Sequence, residues 1–197
     1  MKITSQVLEN KVVRLEPFTP ELRDEVQNAL NHDPQAWADM VGAAYGQYFE
    51  PWWNTALSAA ASGSRIPFAV RRKSDGLVVG TTSLYEIRPE HRRCEIGSTF
   101  YMPEARGSAI NPSCKLLLLT HAFESGAVRV EIITDAINAA SQAAIRKMGA
   151  TYEGTLRKHK ATWTGRMRDT VQFAILVDEE WPNVKRGLEE RIAKLTA

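Results

Sequence analysis

The chain has 197 residues, 44% of them hydrophobic and 24% charged, which places it among globular proteins and outside the disordered range. A formal net charge of +2 excludes wholesale attraction to nucleic acid or to an anionic membrane surface, so any anionic partner is met locally. The two cysteines, Cys94 and Cys114, form no CxxC and no Cys/His cluster at ligand spacing, which argues against a structural zinc site.

The opening MKITSQVLENKVVRL lacks the apolar core of a secretion signal, and no run approaches the ~18 apolar residues of a membrane span. The expectation is a cytoplasmic protein with reduced thiols, folded as a single domain over 1–197 with a C-terminal helical extension over 179–197. Lys11 to Glu16 (KVVRLE) has the β-branched character of a strand, and ELRDEVQNAL after Pro20 reads as a helix. His32 to Pro34 breaks it. A second helical region follows in two pieces around Gly42 to Gly46, the later piece running from Pro51 to Ser62. Its tryptophans Trp37, Trp52 and Trp53 are read as packing residues; with Tyr45 and Tyr48 they would alternatively wall an apolar or planar ligand.

Arg65 to Lys73 and Leu77 to Ile87 read as two strands joined at Ser74-Asp75-Gly76, a short-range hairpin signal. Cys94 to Tyr101 continues the meander. Pro112 to Glu124 is apolar at helical spacing through Leu116, Leu119 and Phe123, with Gly126 beyond its end. Ala127 to Thr134 is a buried-type strand and Ala139 to Met148 a helix closed by Gly149. Strands at Thr151 to Ala161 and Met167 to Val177 follow, turning at Thr164-Gly165, before a terminal helix over Glu179 to Lys194. This order predicts an α/β fold with a mixed sheet between helices.

A strand ending at Met102-Pro103, a loop from Glu104 to Asn111 and a helix near Pro112 make an arrangement suited to phosphate, because the first N–H groups of a helix are unpaired and its dipole is positive there. Gly107 would allow close backbone approach, Ser108 would add a hydroxyl donor and Arg106 a charge. Asn138 and Ser141, in NAAS, are what a helix N-terminus uses to satisfy itself; a ligand role is the alternative reading. The basic run Arg157 to Arg168 is read as a solvated hairpin face, or as steering for an anionic ligand.

Six ordered blocks carry a resemblance: EIGSTFYMP, RGSAINPSCKLLLLTHAFE, VRVEIITDAINAASQAAIRKMGA, TYEGTLRKH, GRMRDTVQFAI and EEWP. Together they resemble the RimJ/RimL-like group of GNAT N-acetyltransferases, with KVVRLEPF similar to the family's first strand. The resemblance implies a single GNAT-type domain, with a central mixed, mostly antiparallel, twisted sheet of about six to seven strands flanked by helices. Splayed strands in that fold form an acetyl-CoA cleft. It implies acetyl-CoA as co-substrate, no metal, and an amine acceptor that is a protein N-terminus or a small molecule. A homodimer is the assembly it suggests.

By the same resemblance, Phe100, Tyr101 and Met102 would offer backbone hydrogen bonds to the pantetheine arm. Arg106, Gly107, Ser108, Ala109, Ile110 and Asn111 would hold the pyrophosphate, with Asn111 capping the helix. Asn138 would bond the arm, and Ser141 would protonate the departing thiolate. The loop departs from the family's commoner pattern after Gly107, where Ser, Ala, Ile and Asn follow. The reaction needs a base for the acceptor amine. Glu95 is favoured by position; Glu86 and His159 are the other candidates, and an ion pair with Arg92 or Arg93 is the structural alternative for Glu95. A detoxifying acetyltransferase for antimicrobial or polyamine substrates, or a non-catalytic acyl-CoA-binding regulator, are the rival functions.

Overall fold

The computed structural model describes every residue of the chain except Asp39. Eight strands form one sheet: β1 (Leu8–Glu9), β2 (Val13–Pro17), β3 (Arg65–Arg72), β4 (Val78–Arg88), β5 (Arg93–Tyr101), β6 (Arg129–Asp135), β7 (Thr151–Ala161) and β8 (Met167–Leu176). Their spatial order is β1-β2-β3-β4-β5-β6-β8-β7. The five α-helices are α1 (Arg23–Leu30), α2 (Phe49–Ala61), α3 (Ile110–Glu124), α4 (Ala139–Met148) and α5 (Trp181–Thr196). The fold is the expected α/β sheet between helices, with one strand more than expected. The added strand is β1, two residues long, too short to show an alternating pattern.

Alternation along β3 sorts the layers. Arg71 reaches Glu25 of α1 at 2.7 Å, and Arg65 lies under Trp52 of α2, so this set of residues faces α1 and α2. Ile66, Phe68 and Val70 face the opposite layer, where α3 and α5 meet through Phe123 and Trp181, whose ring centroids are 5.1 Å apart. Phe49, Phe68, Phe173, Leu118 and Leu119 are fully buried and fill the two layers. No helix among the described residues is long and apolar enough to cross a membrane.

Several boundaries shift. A 3₁₀ turn over Pro20–Leu22 precedes α1, which begins at Arg23. The earlier piece of the second helical region is only a 3₁₀ turn, Pro34–Trp37, where the Asp33 carboxylate accepts from Ala36 N–H. Helix α5 begins at Trp181; Glu180 instead accepts from Leu176 N–H at 2.8 Å and Thr151 Oγ1 at 2.6 Å.

One pairing differs from the rest. β5 and β6 run parallel and pair only over Arg93 to Glu95 with Arg129 to Glu131, whereas every other neighbouring pair is antiparallel. Beyond Glu95 the two strands separate, β5 staying with β4 and β6 with β8. A bulge accompanies the divergence: Thr81 faces Phe100 while Ser83 faces Gly97, so β5 carries an extra residue, and Ser98 adopts φ 48. Because α3 follows β5 and α4 follows β6, two helix N-termini border the opening.

Candidate active site

The opening exposes one edge of β5. Met102 N–H donates to Val79 O at 2.9 Å, so that donor is taken, and its carbonyl accepts from Ala105 N–H at 2.9 Å. Thr81 and Phe100 pair directly, and strand alternation then turns the backbone of Phe100 toward β4 and that of Thr99 and Tyr101 toward the opening. The Tyr101 carbonyl accepts from Arg106 Nε at 2.9 Å. Among the N–H donors of Phe100, Tyr101 and Met102, that of Tyr101 is therefore the one turned to the opening. Gly80 makes the close strand approach possible: a Cβ there would stand 2.1 Å from the Phe100 carbonyl oxygen.

The loop before α3 is oriented by its own side chains. Ser108 Oγ donates to Ala105 O at 2.7 Å and accepts from Ile110 N–H at 3.2 Å. Ser108 is thus the residue that satisfies the helix start, not Asn111, which is already the second helical residue; the expected Ser108 donor is spent. The charge of Arg106 is claimed within the protein as well. The guanidinium pairs with Asp33 at 2.7 Å and lies over Phe100, tying the loop to the Pro34–Trp37 turn. What remains is backbone: the N–H groups of Gly107, Ser108, Ala109 and Asn111 meet no acceptor among the described residues. Gly107 has φ 72 and nothing within 4 Å of where a Cβ would stand, so the loop is open to an approaching anion. A recess of about 490 Å³ lies alongside, lined by Lys11, Lys73 and Ser108 to Ile110 among others.

Across the opening, Asn138 caps α4, its Oδ1 accepting from Ser141 N–H at 2.9 Å. The Ser141 hydroxyl is half-buried and bonds no described residue. Asn138 keeps its amide N–H₂ group unspent, so capping and ligand contact are compatible at this helix start.

Glu95 is the last residue paired with β6 and is only 4% exposed. Its Oε1 has no hydrogen-bond partner among the described residues. Burial pushes its carboxyl above the ordinary range, partly countered by the Tyr85 phenol and the Lys160 ammonium. Gly97 makes room for Tyr85, since a Cβ there would fall 2.8 Å from the phenolic oxygen. The arginines expected to pair with Glu95 go elsewhere: Arg93 to Glu131 at 2.9 Å, Arg92 to Gly126 O at 2.9 Å. Glu86 is exposed and bonded to Arg88 at 2.7 Å. His159 is exposed on β7; burial and the charges of Lys160 and Arg168 lower its pKa.

The thiols are poor nucleophiles. Both cysteines are free and buried, and burial pushes each up to about 12.

Aromatic residues close the α1–α2 side. Trp37 stacks on Phe100 at 4.9 Å, and Trp163 Nε1 donates to Trp37 O at 2.8 Å, drawing the tip of the β7–β8 hairpin over the opening. Tyr48 packs on Trp163 at 5.1 Å, while Trp53 stacks on Phe18 at 4.5 Å. The basic run divides: Arg168 is buried and donates to Thr170 Oγ1 at 3.0 Å, and Arg166 pairs with Asp135 at 2.5 Å. Three residues escaped sequence reasoning. Arg65 and Tyr85 sit inside ordinary strand patterns. Lys115 interrupts the buried stripe of α3 and had a visible signal, a charge within an apolar helical run; burial lowers its pKa to about 8.

The acetyltransferase (GNAT) domain family matches residues 13–151. No curated protein sequence matches the chain. Among solved structures, a GCN5-related N-acetyltransferase from Brucella melitensis is 30% identical with a TM-score of 0.86, over 96% of this chain and 86% of that one. RimJ from Mycobacterium smegmatis, in complex with CoA-disulfide, has a TM-score of 0.80 at 20% identity, over 97% of this chain and 96% of that one. The microcin C7 self-immunity acetyltransferase MccE, in complex with acetyl-CoA and AMP, has a TM-score of 0.75 at 17% identity, over 85% and 94%. With the parted parallel strands, the open helix start and the family match over most of its length, the chain belongs to the GNAT acetyltransferases.

Proposed function

We propose that this acetyltransferase moves the acetyl group of acetyl-CoA to a primary amine by direct attack in a ternary complex, in the manner of RimJ/RimL-like enzymes. The observation that carries this reading is Glu95, a buried carboxylate with an unpartnered oxygen at the point where β5 and β6 part. The protein's residues fit the co-substrate: one strand edge is open, and four backbone N–H groups at the start of α3 have no acceptor among the described residues. Acetyl-CoA supplies the activated acyl group and a thiolate leaving group.

Each protein group then has a task. The Tyr101 N–H meets the polarised carbonyl or the arm. Backbone N–H groups of Gly107, Ser108, Ala109 and Asn111 hold the pyrophosphate, Ile110 anchors the helix in the core, and Asn138 orients the arm. Arg106 positions the loop through Asp33. Glu95 accepts the amine proton at Oε1, directly or through water, and its raised pKa brings it closer to the working pH of a base. The Ser141 hydroxyl donates a proton to the departing thiolate.

Release of free thiol from acetyl-CoA, followed over peptides with free N-termini and small amines, tests the reading. We expect turnover of at least one amine and a fall of about 10²–10⁴-fold in kcat for Glu95→Gln. Acetyl-CoA binding without turnover of any amine would support a regulator instead, and unchanged turnover in Glu95→Gln would move the base elsewhere.

A further inference from the structure

Arg65, at the start of β3, is a half-buried guanidinium that makes no ion pair among the described residues. Its Nε donates to Ser83 Oγ at 3.0 Å and its Nη2 to Ser98 Oγ at 2.9 Å. Trp52 covers it, with the guanidinium carbon 5.6 Å from the ring centroid. A guanidinium has five N–H donors, so most of the fork is unspent. Burial pulls its pKa down to about 10, and it stays charged at neutral pH.

Register places this cation beside the proposed base. Arg65 pairs with Tyr85, and Tyr85 pairs with Glu95, so the three residues stand in one row on the face covered by α1 and α2. The backbones of Arg65 and Glu95 are two strand spacings apart, about 10 Å. The bond to Ser98 leans the guanidinium over β4 to the bulge, where β5 leaves β6. Ser98 itself adopts φ 48, a conformation that side-chain-bearing residues seldom take and that clusters at functional sites. Other cations facing this region are also without ion pairs among the described residues: Lys160, which acts on the Glu95 carboxylate, and buried Arg168. The carboxylates facing them are Glu95, whose Oε1 has no hydrogen-bond partner among the described residues, and Asp135, which acts on Arg168 and pairs with Arg166.

Taking a guanidinium out of water without a counter-charge is costly, and an incoming anion offsets that cost. We propose that Arg65, fixed by Ser83 and Ser98 under Trp52, binds an anionic group of the acceptor, so the preferred acceptor is an amine bearing a carboxylate or phosphate close to its amino group. This rests on the acetyltransferase reading above and names the substrate class of that same site. Glu95 takes the proton of the amine while the guanidinium holds the anionic group.

The test measures kcat/KM for thiol release with matched acceptors: β-alanine against β-alaninamide, O-phosphoethanolamine against ethanolamine, and a C-terminally amidated peptide beginning with Asp against one beginning with Asn. The arm in which the acidic member wins identifies the source as a small molecule or a protein N-terminus. We expect the acidic member to be favoured at least about ten-fold in one arm, the scale of a charge-assisted hydrogen bond. Arg65→Gln should bring that ratio close to one, and Arg65→Lys should restore part of it. If Arg65 only braced the bulge, both members would slow together and the ratio would persist, which overturns the proposal. Equal or better turnover of the neutral member in every arm overturns it too. Should no amine be turned over, thermal stabilisation of the CoA-saturated protein by the same pairs decides. Stabilisation by the acidic member, lost in Arg65→Gln, keeps the anion site while acetyl transfer fails; stabilisation by neither removes both.

Discussion

A buried carboxylate destabilises a fold unless its oxygens find donors, and Oε1 of Glu95 finds none. The pKa direction fixes the sign of the consequence. Glu95 titrates above its unfolded value of ~4.3, so the stability of its protonated form is present below that value and is lost as pH rises through the folded pKa. Glu95→Gln should therefore melt higher than wild type at pH 8, by about 1–3 kcal/mol of stability, with the gap closing toward pH 4. Melting curves across that range check it, and a lower melting point at pH 8 would contradict it. Tyr85 holds the Glu95 pKa down by hydrogen bonding. Removing the phenol in Tyr85→Phe should raise that pKa, moving the acid limb of the kcat/KM profile to higher pH; an unmoved limb would detach Glu95 from the proton transfer.

At the scale of elements, the opening depends on how tightly β4 holds β5. Gly80 lies where a Cβ would collide with the Phe100 carbonyl at 2.1 Å, and the atom in the way is backbone. Gly80→Ala should cost about 1–3 kcal/mol through strand displacement, read as a lower urea midpoint at unchanged slope. A neutral midpoint would mean that β5 moves freely. Much of this level could be read in the sequence. Asp75-Gly76 marks the β3–β4 hairpin, where Gly76 has φ 76, and Gly149 closes α4 with φ 101. The bulge could not be read. EIGSTFYMP scans as an uninterrupted strand, and Ser98 leaves the regular ladder in a strand bonded to β4 along one edge while the other faces the opening. The cap of α3 was misread for a local reason: Asn111 suits an N-cap, but Ser108 reaches Ile110 N–H first and the helix begins two residues before Pro112.

For the whole molecule, the two halves of the site differ in how far the sequence reveals them. The phosphate side is continuous in the chain, from the end of β5 through the loop into α3, so composition and order suffice to find it. The acceptor side is assembled by sheet register. Arg65, Tyr85 and Glu95 come from three strands and become neighbours only through their pairing, which no local pattern encodes. Arg106 illustrates the same limit in reverse. Its position in the loop suggests a phosphate ligand, and Asp33, far earlier in the chain, claims its charge.

Amide hydrogen exchange with and without acetyl-CoA tests most directly that the parted strands β5 and β6 hold the co-substrate. Slowed exchange at Thr99, at Tyr101 and from Gly107 to Asn111, together with the first turn of α4, is the predicted result. Protection confined to other segments, or no protection at saturating acetyl-CoA, would contradict it.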